Sequence, residues 1–263
     1  MAAPTRLTSF RHRQVAIQAV LVVLTLLAWA DLIERAYVMP RMTSSLTMGV
    51  GLACFLAIWI VMMAAMMLPS SAPMVLMFAR VQAATRRSGV PGCLTTLFVG
   101  GYLAVWSLVG ILAYVAALKA QDLGVAEGWI GAYGPRFGGL LLLAAGIYEI
   151  TPVKHAFLRR CRSPLAFLLT SWQNGAMGAL RMGLSYGLSC LGCCCLLFAI
   201  LFPLGMMNLA LLAGITLLLC AEKSLPHPER VTLGVALLLT AYGVAVLLSP
   251  SILPMQPPGM PIS

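Results

Sequence analysis

Charge is what this chain of 263 residues lacks. Only 9% of it is Asp, Glu, Lys or Arg, where a soluble domain carries about 25%. Acids are scarcest, seven in all, and there are three histidines. So little charge cannot cover a water-facing surface, which excludes an ordinary soluble domain. The sequence also lacks the His-Glu-x-x-His pattern, a Gly-rich phosphate loop, a P-type ATPase motif and any Ser-His-Asp order. Hydrolytic and ATP-driven chemistry therefore has no residues here to carry it, and the chain reads as a non-enzyme. What fills the space instead is apolar: 61% of residues are hydrophobic and the mean hydropathy is +0.96.

These numbers predict an all-α fold, a polytopic bundle of transmembrane helices in a lipid bilayer. A hydrocarbon core of about 30 Å needs roughly 20 apolar residues per crossing. Seven spans are expected, roughly 14–30, 47–68, 94–118, 137–153, 183–204, 206–222 and 231–249. The stretch 70–84 is expected to extend the second span past Pro69. The stretch 164–181 holds Gln173, Asn174 and Arg181, and reads as an interfacial or half-inserted helix, so six or eight spans stay open. The transmembrane domain then covers 14–249, between an N-terminal cytoplasmic segment 1–13 and a Pro- and Met-rich tail 250–263.

Orientation follows from Lys and Arg. With seven spans and the N-terminus inside, thirteen of the 17 basic residues fall in inner segments, and only Arg35, Arg41, Lys119 and Arg136 fall outside. The net charge of +10 is thus explained by basic flanks of spans and calls for no nucleic acid. The expected location is a bacterial inner membrane. The basic N-terminus with its apolar run has no small-residue cleavage site and reads as an uncleaved anchor.

Two patches of soft sulfur are set in these apolar stretches. The first is Met62, Met63, Met66 and Met67, one broad helix face shared with Trp59 and Ser70. Pro69 and Pro73 follow and are expected to kink the helix and free backbone carbonyls; Met74 and Met77 come next, one turn apart. The second is Cys190, Cys193 and Cys194, at i, i+3 and i+4 on one face, with Cys195 to the side. Thioethers and thiolates select Cu(I) among available metals. Each Met or Cys alone is ordinary packing, but four in six residues, twice, points to a metal or redox site. By topology both patches lie toward the inner half of the bundle, where they could face each other. Glu149 and Glu222, acids within apolar spans, need partners there and are candidate cation ligands; Glu149 with Lys154 and Glu222 with Lys223 also fit plain helix-end pairs. Cys161 is expected in an inner basic loop, and Cys54, Cys93 and Cys220 at isolated packing positions.

Together these stretches carry a resemblance. Trp59, Met62, Met63, Ala65, Met66, Met67, Leu68, Pro69, Ser70, Pro73 and Met74; Tyr148, Glu149, Thr151, Pro152 and Lys154; Cys161, Arg162, Ser163 and Pro164; and Cys190, Gly192, Cys193 and Cys194, followed by Gly205 to Asn208 and Glu222-Lys223, resemble the DUF2182 family of predicted metal-binding integral membrane proteins, described as copper chaperones. The likeness spans roughly 55–225. Phe157 stands where the family often has a second Cys, and Cys195 where it often has Trp. The resemblance implies copper, Cu(I), as the metal handled. Cu(I) carriage to a cuproenzyme or within a larger membrane complex is the leading expectation. A membrane thiol–disulfide carrier using Cys190 and Cys193, or an accessory subunit with sulfur used only for packing, are the alternatives.

Overall fold

The computed structural model describes residues 4–38, 50–85, 91–122, 129–204 and 208–249. The tail 250–263, Arg41, Arg86, Arg87 and Gly205 to Met207 lie outside them. The described residues form α-helices and no strand. In chain order these are α1 (Pro4–Val38), α2 (Leu52–Thr85), α3 (Pro91–Asp122), α4 (Trp129–Glu149), α5 (Pro152–Arg162), α6 (Pro164–Ser171), α7 (Gly175–Ala199), α8 (Leu201–Leu204), α9 (Leu209–Ser224) and α10 (Pro228–Leu248).

Five of them, α1, α2, α3, α7 and α10, are long and apolar enough to cross a membrane. A sixth crossing is available if α4 and α5, bent by 65° at Ile150 and Thr151, act as one broken span. The count therefore differs from the expected seven. The difference sits at α9, whose 16 residues are short for a bilayer that asks for about 20.

Local chemistry explains the breaks. α5 starts on Thr151, whose Oγ1 accepts the Lys154 N–H at 3.3 Å, with Pro152 in the first turn. Asn208 caps α9 in the same way, its Oδ1 accepting from the Leu211 N–H at 3.1 Å. The stretch expected as one interfacial helix at 164–181 is two pieces. α6 ends at Ser171, and α7 begins at Gly175, which takes φ = +81°, a conformation glycine adopts without penalty. Arg181 accordingly lies inside α7.

α2 runs unbroken through Pro69 and Pro73. Proline 69 has no N–H to give the carbonyl four residues earlier. That carbonyl, Ala65 O, accepts instead from Trp29 Nε1 of α1 at 3.1 Å. The freed group predicted near the methionines thus exists, and a neighbouring helix satisfies it.

α3 and α7 form the tightest seam. A Cβ on Gly183 would stand 2.1 Å from Phe98 O, and one on Gly101 2.5 Å from Leu180 O. Only glycine lets these backbones approach so closely, the usual device where lipid gives helices no hydrophobic reason to associate. α2 packs against α1, α3 and α9, α5 against α7, and α4 against α10. Leucines such as Leu26, Leu27, Leu217, Leu237 and Leu248 point outward, as side chains do that meet acyl chains rather than water.

Candidate metal centre

The methionine patch is wholly internal: Met62, Met63, Met66 and Met67 are 0% exposed and Met74 is 1%. The α2 face predicted from spacing is therefore turned into the bundle. Trp59 from the same face donates its indole N–H to Trp106 O at 2.8 Å and packs where Gly110 leaves room.

The cysteine patch on α7 is equally buried. Cys190, Cys193 and Cys194 have sulfurs all within 4.8 Å of one another. Cys193 and Cys194 donate to the Cys190 carbonyl at 3.1 and 2.8 Å, which turns both toward Cys190. Cys195 points aside and is half-buried, as its spacing suggests; Cys54 and Cys93 are exposed.

The two patches touch. Cys190 Sγ lies 3.7 Å from Met67 Sδ, joining α7 to α2. Met67 is thus a methionine whose sulfur reaches the cysteines. Met62, Met63, Met66 and Met74 belong to the surrounding core.

Two polar groups converge on the same sulfur. Lys223 Nζ of α9 is 3.2 Å from Cys190 Sγ, and Tyr102 Oη of α3 is 3.3 Å from it. Lys223 also donates to Ser70 Oγ at 3.0 Å, and Ser70 donates on to Met67 O at 3.1 Å. The lysine is thus bound to both helices that supply sulfur. A buried ammonium needs an anion, and a thiolate at Cys190 is the anion this position offers. Lys223 is 8% exposed, so it does not snorkel to the membrane surface as a helix-end pair would.

Cys161 corrects an expectation. It lies not in a loop but in the last turn of α5, buried, with its sulfur 4.0 Å from Cys193 Sγ. Spacing alone gave no reason to bring position 161 to position 193. The signal available was its place in the resembling motif. Phe157 lays its ring over Gly192, where a Cβ would be only 2.6 Å away.

The two acids sit with a lysine. Lys154, 0% exposed, donates to Glu149 Oε2 and, at 2.8 Å, to Glu222 Oε1. The local pair expected between Glu149 and Lys154 is present, and Glu222 is its third member across the bundle. Glu222 Oε2 has no partner among the described residues. Neighbouring contacts tie the same elements: Tyr148 Oη donates to Gly192 O, and Arg162 donates to the carbonyls of Glu222 and Leu225 at the end of α9.

A bundle that is all-helical among the described residues, with long apolar helices around a buried cluster of thiols, defines the class: a helical membrane protein whose thiols could hold a metal ion. The comparison with known families agrees. The pattern of the family PpoB2, described as copper chaperone, matches residues 56–246, most of the chain and every site residue above, and the chain belongs to that family. No curated protein and no solved structure matches it.

Proposed function

We propose that this chain takes Cu(I) into a sulfur site inside the membrane and passes it on, with Cys190, Cys193 and Cys194 as the strong ligands and Met67 as the weak, exchangeable one. The observation that carries the reading is the 3.7 Å approach of Met67 Sδ to Cys190 Sγ. A thiolate–metal bond is about 2.3 Å, so two sulfurs on one ion stand at most about 4.6 Å apart. The Met67–Cys190 pair falls inside that limit, and the thiol trio lies close to it. Soft ligands select Cu(I) over harder ions.

Lys223 offsets thiolate charge, and Ser70 and Tyr102 hold the lysine and Cys190 in place. Met62, Met63, Met66 and Met74 form a polarizable, water-free wall behind Met67. Glu149 and Glu222 act through Lys154 to hold α4, α5 and α9 together, rather than as ligands. The Lys and Arg distribution supports an N-terminus inside and a site toward the inner half. The receiver of the ion is a cuproenzyme or a membrane complex that contains one.

Cu(I) competition with a chromophoric chelator, on reduced protein in detergent, tests this. The wild type is expected to bind near one equivalent. The variant with Cys190, Cys193 and Cys194 all replaced by Ser is expected to bind none tightly. Met67→Leu, a nearly volume-conserving change, is expected to weaken binding by about tenfold, which corresponds to about 1.4 kcal/mol. Equal and negligible copper in the wild type and the triple variant overturns the reading.

A further inference from the structure

The sulfurs form a row that crosses three helices. Met67 on α2 is 3.7 Å from Cys190 on α7, Cys190 is within 4.8 Å of Cys193, and Cys193 is 4.0 Å from Cys161 on α5. Two sulfurs each about 2.3 Å from one ion, at a trigonal angle, stand about 4.0 Å apart. The Cys193–Cys161 spacing is therefore that of two ligands sharing an ion. A bonded disulfide requires about 2.05 Å, so these two thiols stand well apart from the covalent pair.

Copper with three strong ligands and one weak thioether is already satisfied. Cys190, Cys193, Cys194 and Met67 make up that set. Cys161 is a further sulfur, next to the set and outside it. Within the row it is the thiol whose chain neighbours are cations: it lies one residue before Arg162, which reaches carbonyls at the end of α9, and beside Arg159 and Arg160, which are exposed. The face of α5 that carries it is fixed. Lys154 is held by Glu149 and Glu222, Phe157 covers Gly192, and Cys161 follows one turn on.

We propose that Cys161 is the outlet of the sulfur row, the ligand through which Cu(I) leaves the resting site. This rests on the Cu(I) reading above. In the step, the Cys161–copper bond forms while copper is still held by Cys193, and the Cys190–copper bond then breaks. The Cys161 thiol proton passes to the Cys190 sulfur left behind. Copper stays Cu(I), no electron moves, and the net charge of the interior is unchanged. The ion is never bare in an apolar medium, where an uncompensated charge is very costly.

The test separates release from affinity. Copper-loaded protein in detergent, kept reduced, is mixed with excess bathocuproine disulfonate, and the rate of Cu(I) transfer is followed by absorbance. Equilibrium affinity is measured separately. Cys161→Val keeps the size and removes the ligand; it is expected to slow transfer by about tenfold, one such factor being about 1.4 kcal/mol of barrier, with affinity within about twofold of wild type. Cys161→Met restores a soft ligand and is expected to recover most of the rate. Transfer by Cys161→Val at the wild-type rate overturns the proposal. So does an equally slow Cys161→Met, which would make position 161 a packing site. A loss of affinity in Cys161→Val as large as that of the triple Cys variant overturns it too, by making Cys161 a resting ligand. Wild-type protein that holds no copper ends the Cu(I) reading itself, a different failure from any of these.

Discussion

α1 and α7 are both long and apolar enough to span a bilayer, yet they do opposite work. In the most apolar stretch of α1, 17% of residues are buried in the bundle; in that of α7, 56% are. α10 resembles α1 at 22%, and α2 resembles α7 at 50%. α7 is also the least apolar of the five spans. Hydropathy, then, measures solubility in lipid, while position in the bundle is decided by small residues and polar groups. α7 carries Gly183 and Gly187 against α3 and three thiols against α2 and α5. α1 and α10 face acyl chains with leucine and valine, which need no partner.

The largest expected break in this comparison is at the buried ion cluster. Lys154→Met leaves Glu149 and Glu222 facing each other without a cation. Removing one partner of a buried ionic group costs about 3–5 kcal/mol, so the variant is expected to unfold at much lower temperature in detergent. Adding Glu149→Gln and Glu222→Gln should return most of that loss, because charge rather than shape is what Lys154 contributes. A single variant as stable as wild type would show that the cluster carries no such load.

Next comes the α3–α7 seam. Gly183→Ala places a methyl against the Phe98 carbonyl, and overpacking costs about 1–3 kcal/mol. Gly234→Ala on α10 has nothing within 4 Å, and there the gain in helix propensity is expected to leave stability unchanged or raise it by up to about 1 kcal/mol. Thermal unfolding of the two variants side by side checks the contrast. Equal shifts would mean that the inner and outer helices are not packed differently.

The smallest effect is expected on α1. Leu27, 61% exposed, exchanges contact with lipid for contact with lipid when cut to Ala. The change in stability is expected within about 0.5 kcal/mol, the usual range for surface positions. A shift of several kcal/mol would place a protein partner, not lipid, on that face.

Much of this was legible in the sequence because it is local. The i, i+1, i+4, i+5 spacing of Met62 to Met67 and the i, i+3, i+4 spacing of Cys190 to Cys194 depend only on helix geometry. So does the missing N–H of Pro69. What could not be read was which distant segments meet. Lys223 looked like a membrane-surface residue because a Lys at the end of an apolar run usually snorkels; only the third dimension turns it onto Cys190. Cys161 looked like a loop thiol because three basic residues, Arg159, Arg160 and Arg162, flank it. Its helix is amphipathic, with Lys154, Leu158 and Cys161 on the buried side. Glu222 was paired in sequence with Lys223, but in space it serves Lys154. The seventh span fell short because α9 begins only after the Asn208 cap and ends at Ser224, 16 residues in all.

Lys223 also sets an order on biosynthesis. The sulfur row is written early in the chain at Met67 and is extended at Cys161 and Cys190. The counter-cation arrives only with α9, when most of the protein has already left the ribosome. Until then Cys190 has no ammonium beside it and Met67 no lysine-bound Ser70 to steady its turn. A nascent chain inserted as far as α7 thus carries thiols without the electrostatic setting of the finished centre. On the Cu(I) reading proposed above, metal loading would follow membrane insertion, with completion of the helix bundle as the check on where copper is kept.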